Sequence, residues 1–106
     1  MLITSTFDIA DKKIVKTLGL VKGNTIRARH VGRDIMAGLR GIVGGELHEY
    51  TKLLAESREQ ALDRMIEDAE TLGADAVVGV SFSSSVMSHG AAELMAVGTA
   101  VVIEES

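Results

Sequence analysis

His48 stands between Glu46 and Glu49 behind a glycine pair in GGELHEY (44–50), residue types that could build a metal site, an anion cradle or a helix start. The imidazole and carboxylates would suit an ion that accepts nitrogen and oxygen ligands, such as Zn, Ni or Mn, because the chain has no cysteine thiolate to offer. The string HEYTK (48–52) lacks the HExxH spacing and puts a lysine one turn after His48, so further ligands would have to come from elsewhere. His30 and His89 lie in separate segments. An anion cradle needs backbone N–H groups converging at a glycine-rich turn. Here no lysine followed by Ser or Thr completes a P-loop, no GxGxxG occurs, and Glu46 at the helix mouth repels an anion. The residues favour the third reading, in which Gly44 and Gly45 turn the backbone or permit close packing where a long helix begins.

Arg58 is the next chemically informative residue. At about 100° per residue it falls among Leu54, Ala61, Leu62 and Met65, so a permanent charge points toward an apolar stripe. Buried alone it would cost several kcal/mol, and the expected partners are Glu93 at the start of the last strand, or Asp34 or Glu46 from the same or a neighbouring chain. An arginine facing a cleft or pore would instead bind a small anion. Arg40, beside Asp34 and Glu46, fits a weaker network of the same kind, and Tyr50 on the apolar edge has a hydroxyl that needs one partner. Ser81, Ser83, Ser84 and Ser85 lack a G-x-S-x-G elbow and an evident base, so hydrolysis has little support.

These residues must be positioned by a few elements. From about Glu46 to Leu72, Leu47, Tyr50, Leu54, Ala61, Met65, Ala69 and Leu72 share one side, while Lys52, Glu56, Glu59, Asp63, Glu67 and Glu70 share the other. This is a long amphipathic helix, ended by Gly73 in a position that favours positive φ. Glu46 and Glu49 complement its N-terminus. Residues 74–85 form a strand with Ala76, Val78, Val80 and Phe82 expected on one side, and residues 93–105 form another, with a polar connection centred on His89-Gly90 between them. Earlier in the chain, residues 12–21 and 24–31 flank Lys22-Gly23 as an expected hairpin, with Gly19 marking a bulge or a close backbone approach. Residues 33–44 carry Ile35, Met36, Leu39, Ile42 and Val43 at the spacing of a short helix, weakened by Gly38 and Gly41.

The pieces predict one α+β domain over 1–106, a two-layer antiparallel sheet with one long helix across it. The last strand is apolar on both sides, with Leu94, Ala96, Ala100 and Val102 opposite Met95, Val97, Val101 and Ile103. One helix covers only one side, so a second copy of the chain is the expected cover for much of the other. Single-digit aromatic content, an excess of 15 acidic over 11 basic residues and the absence of a basic run argue against nucleic acid as a partner. The start MLITSTFDIADKK resembles no leader, and no apolar run approaches the roughly 20 residues of a bilayer span. The expected setting is therefore cytoplasmic and away from membranes.

Several motifs together resemble the YbjQ-like family, also called UPF0145 or DUF74. They are Asp34, Gly38 and Arg40; VGGE (43–46) with Tyr50; Arg58 with Arg64 and Met65; LGADAVVGV (72–80); and GTAV (98–101). The resemblance covers nearly the whole chain. It implies a dodecin-like subunit in a ring-shaped homopentamer, and it brings a heavy-metal-binding label that names no site or reaction. No cofactor is required by the sequence, with a divalent metal as the alternative. Family members often carry Arg and Tyr where this chain has Ser81 and Val97, so any role of that pair is not carried over.

Overall fold

The computed structural model describes residues 1–27, 45–86 and 92–106. Strand β1 (Leu2–Ile3) is followed by β2 (Lys12–Arg27), helix α1 (Gly45–Thr71), β3 (Ala76–Val86) and β4 (Ala92–Glu105). The sheet order is β1-β3-β4-β2. β4 pairs antiparallel with both β2 and β3, while β1 pairs parallel with β3. The expected α+β class holds, but the sheet is mixed and not purely antiparallel, because the N-terminus enters alongside β3 through Leu2 and Ile3.

The expected hairpin at Lys22-Gly23 does not form. β2 runs continuously through both residues, which pair with Val97 and Ala96. Gly23 serves close packing instead: a Cβ there would lie 2.3 Å from the Ala61 carbonyl oxygen and from the Met65 nitrogen. The helix backbone thus rests almost directly on the strand. Gly19, by contrast, sits at φ 128° beside a register shift, with open space where a Cβ would stand, so it belongs to a bulge. The short-helix expectation for 33–44 and the turn at His89-Gly90 lie outside the described residues.

Helix α1 presents Ser57, Ala61, Met65 and Ala69 to the sheet, where they are buried with Val21, Val77, Ala96 and Ala100. Small side chains at successive turns let the helix approach, and Met65 fills the remaining volume. The helix closes in a Schellman arrangement, with Gly73 at φ 79°, its N–H on the Glu70 carbonyl, and the Ala74 N–H on the Ala69 carbonyl. Burial does not extend over the whole predicted stripe, since Leu54 and Leu72 are each 46% exposed.

β3 breaks the alternation expected of it. Val78 pairs with Thr99 and Ser81 with Val97, leaving Gly79 and Val80 as an irregular step in which Gly79 takes φ 63°. Ala76 and Val78 therefore face away from the helix, while Val80 packs with the helix-side core and Phe82 shares the side of its cross-strand partner Ala96. The N-terminal segment is fastened into this step: Gly79 N–H donates to the Thr6 carbonyl at 2.8 Å and Val80 N–H to that of Thr4 at 3.0 Å. Ile9 then packs on Ala76, Val78 and Val101, making a small second core on the side away from the helix.

Candidate functional site

The antiparallel run of α1 along β2 follows from two contacts, Thr25 reaching the Ser57 carbonyl near one end and Lys22 meeting Asp68 nearer the other. The first turns of α1 therefore lie toward the end of the molecule where β2 finishes and β4 begins. Gly45, Glu46, His48, Glu49 and Tyr50 all belong to that part of the helix. Asp34, Arg40 and Gly44 lie outside the described residues, as do His30 and His89.

The structure separates two residues that sequence spacing brings together. Glu93, the second residue of β4, lies opposite Ile26 and Ser85, and its carboxylate accepts a hydrogen bond of 3.1 Å from the Asn24 side-chain amide. Asn24 pairs with Met95, on the side away from α1, whereas Gly23 and Ala96 face the helix. Glu93 and Arg58 thus lie on opposite sides of the sheet within one protomer. Arg58 is exposed, not buried: the side of the helix that meets the sheet runs through Ser57, Ala61, Met65 and Ala69, and Arg58 lies on the flank of that line. Its intramolecular pairing with Glu93 is not available.

Other polar residues make contacts that spacing alone did not suggest. The Arg64 guanidinium donates to the Asn24 carbonyl at 2.5 Å, and the Asp68 carboxylate accepts the Lys22 N–H at 3.2 Å. At the far end of the ribbon Lys12 pairs with Glu105, an exposed ion pair worth at most about 1 kcal/mol. Asp75 accepts the N–H of Ile103 at 3.0 Å. Among the described residues, no three or more His, Asp or Glu side chains converge as a metal would need. No helix among them is long and apolar enough to cross a membrane.

A family profile described as "Putative heavy-metal-binding" matches residues 1–104. A UPF0145 protein from Methanosarcina acetivorans is 59% identical over 103 residues, 97% of each chain. One from Dehalococcoides mccartyi is 56% identical over 104 residues, covering 98% of this chain and 100% of that one. A crystal structure of a protein of unknown function from the DUF74 family of Pediococcus pentosaceus matches with a TM-score of 0.66 over 98% of both chains. At 15% identity, that likeness speaks to the fold.

Proposed function

The chain belongs to the YbjQ-like family, UPF0145, and from that premise we propose that it is a self-assembling binding or scaffold subunit of the cytoplasm. In this reading 1–106 is one domain of dodecin-like, two-layer build that closes into a ring of five. Uncovered apolar surface on the side of the sheet away from α1 carries the reading. There Leu20 is 69% exposed, while Met95, Val97 and Ile103 are only half-buried. The protomer is also extended, with a Cα radius of gyration of 17.0 Å against about 13 Å for a compact chain of this length. A neighbouring copy would bury these side chains and complete the layer. Light scattering and native mass spectrometry at micromolar concentration test it, with five times the 11.2 kDa protomer mass expected. A monomer would end the proposal.

A second reading, supported by the description that the family carries, is a divalent or heavy-metal site using Glu46, His48 and Glu49 from the first turns of α1. Its ligand set would be completed across subunits, and it predicts metal retained after dialysis in the native protein but lost in His48→Ala. A small anion held at a subunit interface by Arg58 or Arg40 is the remaining alternative. Among the described residues, no nucleophile, base and oxyanion donor stand at spacing that supports catalysis.

A further inference from the structure

We propose that Arg64 and Asp68 seal the outer edge of β2 against strand addition by a second copy of this chain. β2 is an edge strand, paired with β4 alone among the described strands. Such an edge offers unpaired N–H and C=O groups to any other strand. On β2 two of these groups are already taken: the Lys22 N–H by the Asp68 carboxylate at 3.2 Å, and the Asn24 carbonyl by the Arg64 guanidinium at 2.5 Å.

The match has a geometric origin. Residues four apart on a helix are separated by about 6 Å along its axis, and residues two apart on a strand by nearly the same distance. Gly23, lying between the two bonded strand residues, lets the helix backbone settle close enough for both side chains to reach past the strand. The chemistry matches as well. A partner strand would present a carbonyl to Lys22 and an amide to Asn24; the carboxylate supplies the first acceptor and the guanidinium the second donor. Helix and strand run in opposite directions, so Asp68 meets Lys22 and Arg64 meets Asn24 without crossing.

The rest of β2 is defended by other means. Register shifts fall between Ile14 and Lys16 and between Thr17 and Gly19, and Lys12, Lys13 and Lys16 line the same half. Bulges and lysines are recognised guards of sheet edges. The opposite edge of the sheet differs. β1 pairs with Ala76 and Val77, and Val80 N–H still bonds Thr4, but no hydrogen bond among the described residues closes the outer side of Phe82 and Ser84. Ser81 to Ser85 are exposed and carry no charge, bulge or proline. An unsealed β2 would therefore meet, on another copy, the β3 edge that is open among the described residues, a head-to-tail contact that adds copies one after another unless its rotation closes a ring. The seal limits growth whatever the size of the native assembly, so this inference stands apart from the ring.

The test compares Arg64→Met/Asp68→Leu with the unaltered chain, using analytical ultracentrifugation across a hundredfold range of concentration and circular dichroism for folding. Expected is a mass that climbs with concentration in the double variant while the unaltered chain keeps one mass. Adding Ser84→Pro, which removes an amide from the receiving edge, should restore the original mass. A folded double variant whose mass equals that of the unaltered chain throughout would overturn the proposal. Hydrogen exchange of the unaltered chain provides a check that needs no variant. The Lys22 amide should exchange at least tenfold more slowly than an open edge amide, and free exchange there would overturn the seal equally.

Discussion

The two sides of β4 are built from different materials. On the side of α1 the middle of the strand is Ala96, Gly98 and Ala100, all buried, flanked by the partly buried Leu94 and Val102; facing away are Met95, Val97, Val101 and Ile103, of which only Val101 is buried. Small residues lie under the helix because it sits at backbone distance from the sheet, as Gly23 requires on the neighbouring strand. Larger residues lie where cover is incomplete, supplied by Ile9 and Ile14 around Val101 and by little else among the described residues. Both sides are largely apolar, and over the central stretch 96–100 side-chain volume distinguishes them. A tightly packed layer secures the protomer, while the other side is left half-covered, the surface on which the proposed assembly rests.

That contrast can be broken at its tightest point. Gly23→Val places side-chain atoms where the Ala61 carbonyl oxygen and Met65 nitrogen now lie, both backbone groups that cannot turn aside. We expect a loss of about 3 kcal/mol or more in urea unfolding, at the upper end for an overpacked core. Met65→Ala, at a fully buried position, should cost about 2 to 4 kcal/mol through the cavity it leaves, with the fold retained. Leu20→Ser sharpens the comparison from the other side. Leu20 is mostly exposed in the protomer, so stability of the isolated chain should change by less than about 0.5 kcal/mol. Its effect should appear in light scattering as a smaller average mass. A change in unfolding midpoint as large as that of Met65→Ala would show that the far side is core and not contact surface.

The helix and the two long strands after it were legible because their signals are local. Hydrophobic spacing predicted a helix over 46–72 and strands over 74–85 and 93–105, against the observed Gly45–Thr71, Ala76–Val86 and Ala92–Glu105. Gly73 was legible for the same reason, since helix termination involves only neighbouring residues. The candidate site was less so. Arg58 looked buried because helical angle places it near the apolar side but does not report how far round the helix the sheet contact extends: Ser57 is buried beside Thr25, and Arg58 next to it is exposed. Glu93 looked like its partner because a strand read alone does not disclose which of its sides will meet the helix. Arg64 and Asp68 gave no sign of their contacts, since the groups they bind belong to the backbone of a strand some forty residues away.

Glycine marks the boundary between the two kinds of information most clearly. Local residue order was enough to establish a long amphipathic helix, two apolar strands behind it and more apolar strand surface than one helix can cover. It also carried the motifs of the UPF0145 family. Tertiary structure alone decided that Gly23 is a seat for the helix and not a turn, that Gly79 reverses the sides of β3, and that Arg58 and Glu93 lie on opposite sides of the sheet. The physical reason is that periodicity arises from bonds between near neighbours, whereas a missing side chain acquires its meaning from whatever distant backbone comes to occupy the space.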